Sequence, residues 1–117
     1  MIAIKRAYDP PQRGDGARIL VDRLWPRGVS KEALAAEMWL KEVAPSDKLR
    51  KWFAHDVDRW HEFQQRYLAE LKENPEAWQP IVERARHGNV TLLYAAKDSG
   101  HNNAVVLQHF LERHLPE

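Results

Sequence analysis

The chain has no cysteine. Disulfide staples, thiolate metal sites and cysteine nucleophiles are therefore excluded. It also lacks a charge excess. Lys plus Arg number 18 and Asp plus Glu 17, for a formal net charge of +1. That near-neutrality argues against a dedicated binder of duplex nucleic acid, whose affinity rests on neutralising phosphates. No run of about 18 apolar residues is present, so no membrane span is expected. Met1 to Arg6 lacks the long apolar region of a signal peptide, and the expected setting is the cytoplasm. Repeats and low-complexity tracts are missing too.

What remains is a chain of 117 residues with 44% hydrophobic and 30% charged residues. That balance is ordinary for a globule and too apolar for disorder. The length favours one domain, residues 1–117, able to bury roughly two-thirds of its unfolded surface.

Ile2–Arg6 reads as a short strand. The segment 9–16 holds two prolines, which lack N–H donors, so it is neither helix nor central strand. Arg18–Asp22 is a second strand that stops at the turn signal Trp25-Pro26-Arg27-Gly28. Ser30 fits an N-cap for a short helix through Ala36, and Ser46 fits another. Residues 37–43 are ambiguous, with a short strand before Pro45 as one reading. Val57, Trp60, Phe63, Gln64, Tyr67, Leu68 and Leu71 form one helical stripe. Asn74-Pro75 ends that helix. A new one is expected to begin at Pro80, because proline inside a helix breaks the ladder, and to end at Gly88. Val90–Ala95 is apolar throughout, as suits a central strand covered on both faces. A helix capped by Asn102 or Asn103 follows. The fold class is α/β: a small layered domain, with three or four mostly parallel strands and helices on both faces.

Two loops attract functional interest. One follows the strand ending at Asp22 and carries Arg23, Trp25 and Arg27. The other follows the strand ending at Ala95 and carries Lys97, Asp98, Ser99 and His101, then Asn102. Ligands of open α/β sheets bind beyond the carboxyl ends of parallel strands. If these strands are parallel, both loops meet at one edge. Arg23, Arg27 and Lys97 then form an anion site beside a helix N-terminus near Asn102. Asp22, Asp98 and His101 are candidates for proton transfer or substrate orientation. Trp25 is a candidate for stacking on a planar ligand. The plainer reading is that Asp98, Ser99 and Gly100 form a turn, Asn102 caps, and Asp22 pairs with Arg23.

His55, Asp56, Asp58 and His61 invite a metal reading, but six residues separate the histidines, and helical ligand pairs sit three or four apart. No metal or cofactor is assigned. Trp52 and Trp60 lie in apolar stripes expected to be core. His109 and His114 are expected to face solvent.

The strings Ile-Lys-Arg-Ala-Tyr-Asp at 4–9, Arg-Ile-Leu-Val-Asp-Arg-Leu-Trp-Pro-Arg-Gly at 18–28, Ala-Pro-Ser at 44–46 and Val-Thr-Leu-Leu-Tyr-Ala-Ala-Lys-Asp at 90–98 carry a resemblance. Along essentially its whole length the chain resembles the YeaO-like proteins, a bacterial family of unknown function. The resemblance places the family's signature strings on the same two loops. Broader relatives look as if they carry cysteines and a His-Arg pair around the second loop. The matching positions here are Tyr94, Asn102, Asn103 and Ala104, so thiol chemistry cannot run in this chain. A layout similar to rhodanese-like or phosphatase-like folds is implied as fold analogy only.

Two functions stay open at this point. One is an anion-binding cleft that acts on a phosphorylated or nucleotide-like compound. The other is a non-catalytic module that binds a protein or single-stranded nucleic acid through a Trp/Arg surface. Oligomeric state is not legible.

Overall fold

In the computed structural model, which describes residues 1–115, four parallel strands form one sheet. They are β1 (Ile2–Arg6), β2 (Ala17–Leu20), β3 (Met38–Trp39) and β4 (Val90–Tyr94), in the order β1-β4-β2-β3. The last strand to be made is inserted between the first two. Ile4 and Ile19 both align with Leu92. With a neighbour on each side and cover on each face, β4 is buried at every position. That is why its sequence does not alternate.

Helices lie on both faces, very unequally. Ile2, Ala17, Ile19, Val21, Val90, Leu92 and Tyr94 join the main core. Four helices supply the rest of it: α2 (Asp47–Phe53), α3 (Trp60–Glu73), α4 (Pro75–Arg86) and α5 (Asn103–Glu112). Leu20 and Leu93 point the other way. They meet only Ala7, the one-turn helix α1 (Lys31–Leu34) through Leu34, and the flanking Trp25, Val29, Ala36 and Trp39.

The three expected caps form. The side chains of Ser30, Ser46 and Asn102 accept from the N–H groups of Ala33, Leu49 and Val105. The ambiguous segment 37–43 contributes the two-residue β3.

The break expected at Pro80 is absent, because α4 runs unbroken from Pro75 to Arg86. Pro80 is exposed, and its missing bond orphans the carbonyl of Glu76, which is also exposed. Interior proline costs roughly 3 kcal/mol. Burial of Trp78, Ile81, Val82 and Ala85 on the opposite face outweighs it, at about 1.5–3 kcal/mol per large side chain. Gly88 is not the left-handed cap expected; His87 closes the helix.

Val57 also departs from expectation. It is exposed, in a 3-10 turn that Asp56 caps through the N–H of Asp58. The α3 stripe therefore begins at Trp60, which is only half-buried.

Asp15, buried against β2, joins the 9–16 loop to the sheet. It accepts from Arg18 at 2.6 Å and from Lys5 at 3.2 Å, while its carbonyl accepts from the Thr91 hydroxyl. Burial by itself would raise the Asp15 carboxyl, but the Gln12 N–H and the two cations outweigh it and hold the group below its usual range. A depressed carboxyl stabilises the fold above its unfolded value and loses that contribution as pH falls through the folded one. We therefore expect stability to fall as acid is added below about pH 4. Asp15→Asn should remove part of that dependence. Urea midpoints measured from pH 6 to pH 2 check this; equal acid sensitivity of the variant would refute it.

Candidate functional site

β2 and β4 are adjacent and parallel, so the loops that follow them open at the same sheet edge. Between these loops and the C-terminal end of α2 lies a cleft of about 970 Å³. Phe53 and Phe63 are buried and line its base; Ala44, Pro45, Ala95 and Ala96 line its walls. Leu24, 62% exposed, stands at the mouth with Tyr8.

Asp22 is held in the cleft wall from several sides. One carboxylate oxygen accepts from the Ala95 N–H at 2.8 Å, the other from the Asn103 amide at 3.1 Å. The same Asn103 amide donates to the Val21 carbonyl, and the Trp39 indole donates to the Asp22 carbonyl. Burial pushes the Asp22 carboxyl above the ordinary aspartate range, against the pull of these two donors and of His55. No cation lies within ion-pair distance of it among the described residues.

The expected Asp22–Arg23 pair does not form. Arg23 turns towards the carbonyls of Pro45 and Ala44, at 3.4 and 3.5 Å, and lies 3.7 Å from Asp47. Arg27 and Lys97 also line the cleft, and both are exposed. Among the described residues neither side chain has a hydrogen-bond or carboxylate partner; only the backbone carbonyl of Arg27 is engaged, by the Tyr8 hydroxyl. Trp25 lines the cleft too. Its indole N–H donates to the Val29 carbonyl at 2.6 Å, and its ring packs edge-on to Trp39 at 5.3 Å.

The second loop folds around Asp98. One oxygen accepts from the N–H groups of Gly100 and His101, the other contacts the His101 ring at 2.9 Å. The Gly100 N–H, then the His101 ring and N–H, hold the Asp98 carboxyl below its usual range. Asp98 borders the cleft, whereas His101 is not among its lining residues and packs edge-on against Trp60 at 5.2 Å. Ser99 is exposed and is not among the lining residues of the cleft. Asn102 is buried; besides capping α5 it donates to the Asp98 carbonyl.

Sequence reasoning missed the contribution of α2. Arg50, Lys51 and His55 reach the cleft from its C-terminal end. Ala54 and His55 take left-handed backbone angles, φ 46° and 58°, to make the turn there. Such angles are uncommon outside glycine and cluster at functional sites. The run Lys48-Leu49-Arg50-Lys51 was the available signal, but only the fold aims it at the loops. Asn103, missed as a site residue, is the second donor to Asp22. Among the described residues no three histidines or carboxylates are grouped to hold a metal, and no helix is long and apolar enough to cross a membrane.

The profile of DUF488-N3i, described as the inactive DUF488-N3 subclade, matches residues 1–117. The chain belongs to the DUF488-N3i family. It is 46% identical over 110 residues to the uncharacterized protein YeaO of Escherichia coli, a match covering 94% of this chain and 96% of that one. An uncharacterized protein of Mycobacterium bovis and one of Mycobacterium tuberculosis are each 34% identical over 110 residues, covering 94% of this chain and 92% of theirs. The YeaO-like resemblance is thus a family relationship. No solved structure matches the chain significantly.

Proposed function

We propose that this DUF488-N3i protein binds, without transforming, a small anionic ligand of the phosphorylated or nucleotide-like class. The observation that carries the reading is the charge at the cleft mouth. Arg27, Lys51 and Lys97 come from three separate segments, and among the described residues none of the three side chains has a protein partner. Desolvated phosphate is recognised by such converging cations through charge-assisted bonds. The apolar base suits the body of a ligand rather than a bare ion.

Binding is favoured over catalysis on two grounds. The carboxylate of Asp98 and the ring of His101 engage each other and their own loop, so we assign them to loop shape and not to proton transfer. The subclade is also described as inactive. The alternative, an interaction module built on Trp25 and the arginines, draws support from exposed Leu24 but loses it at Trp25, whose N–H is bonded to the Val29 carbonyl and whose ring packs against Trp39. We place the protein in the cytoplasm on the sequence reading.

Titration with inorganic phosphate and adenosine monophosphate, followed by amide NMR, tests the proposal. Signals of residues 95–104 and 50–55 should move together. Lys97→Ala and Arg27→Ala should each weaken binding by about tenfold, as expected for loss of one charge-assisted contact. No response of these amides at millimolar anion would overturn it.

A further inference from the structure

The cleft lining carries charges of both signs. Exposed Arg27, Lys51 and Lys97 line it, and so does Asp22, a half-buried carboxylate with no ion-pair partner among the described residues. A carboxylate offers about four lone-pair positions. The Ala95 N–H and the Asn103 amide occupy two, one on each oxygen. One acceptor position on each oxygen remains. The bonds from Trp39 and Asn103 to the backbone of Asp22 and Val21 fix the group in place. An acceptor pair of this kind, in a cleft also lined by apolar side chains, is complementary to two adjacent N–H donors on a flat ring.

We propose that the cleft selects guanine nucleotides, with the paired N–H donors of the base on Asp22 and the phosphate at Lys97, Arg27 and Lys51. This deepens the anion-binding reading and rests on it. Guanine presents its ring N–H and its 2-amino group side by side, matching both free positions of one carboxylate. Adenine presents a ring lone pair where guanine has the ring N–H, so it meets a carboxylate oxygen with repulsion. A buried group left without its partner is costly, and sites built to bond a donor reject analogues that lack it. The apolar lining, from Phe53, Pro45 and Ala95, supplies the contact that either purine takes equally. Discrimination therefore falls on Asp22.

Calorimetric titration of the full chain with inorganic phosphate and with adenosine, inosine and guanosine monophosphates tests this. Inosine monophosphate keeps the ring N–H and lacks the 2-amino group. Affinity should rise in the order adenosine, inosine, guanosine, with at least tenfold between the ends. Asp22→Asn should erase the order while phosphate binding persists, because an amide offers one acceptor and one donor. The nucleotide series on the unaltered protein stands alone if that variant does not fold. Equal affinities for the three nucleotides would overturn guanine selection and leave the anion cleft standing. No binding by any of them, phosphate included, would overturn both.

Discussion

Phe63→Ala should remove about 3–5 kcal/mol of stability, the range for a large aromatic cut from a packed core. Phe63 is 2% exposed and lies within an aromatic stack. Its ring is 4.3 Å from that of Phe53 and nearly parallel, with Trp60 at 5.7 Å and Tyr67 at 5.8 Å. The loss is large because neither neighbour can collapse into the space. Tyr67 is tied to the Val43 carbonyl at 2.6 Å, and Phe53 is the last residue of α2. Trp60 ends the stack and is half-buried, so Trp60→Ala should cost only about 1–2 kcal/mol. Urea unfolding of both variants gives the comparison. A Trp60 variant weaker than the Phe63 variant would place the anchor of the stack at its other end. Phe63 also lines the cleft base, so its loss should weaken nucleotide binding more than phosphate binding.

Gly16→Ala is expected to be comparably damaging, at about 3 kcal/mol or more, from backbone strain and overpacking combined. Gly16 sits at φ 63° and ψ −135°, where a side chain is strained. A Cβ there would lie 2.1 Å from the Asn89 carbonyl oxygen. That oxygen accepts the first bond into β2, from Ala17 at 2.9 Å. The backbone on both sides is held by the sheet, so the contact has no soft partner to yield. Gly28 is the control. Its φ is 77°, but the space around it is open, so Gly28→Ala should cost only about 1–2 kcal/mol from backbone strain. Equal losses at the two sites in thermal melts would show that the Asn89 contact relaxes freely.

Local chemistry was enough to read several elements in advance. β1, β2 and β4 follow from short apolar runs bounded by proline, glycine and turn signals. The caps at Ser30, Ser46 and Asn102 follow from side chains that bond free N–H groups at helix starts. The two loops of interest were visible because polar, basic and turn-forming residues directly follow strands. The absence of cysteine ruled out thiol chemistry without any structure.

Other features depend on atoms distant in the chain. The order β1-β4-β2-β3 is a tertiary choice, and it alone brings residues 22–27 beside residues 95–103. Pro80 inside α4 is decided by what the opposite face buries, which outweighs one lost backbone bond. The contacts of Trp25 with Trp39 and with the Val29 carbonyl are likewise tertiary. The contact between the Asp98 carboxylate and the His101 ring, and the packing of that ring on Trp60, exist only in the folded loop. Arg50, Lys51 and His55 join the cleft only because α2 ends there. Asp22 becomes an unpaired, half-buried acceptor only when Ala95 and Asn103, more than seventy residues away along the chain, close around it. Local propensity therefore determined most of the elements, α4 and β3 excepted, and the composition of the loops. The pairing of strands and the burial of one helical face against them decided which side chains stayed free to meet a ligand.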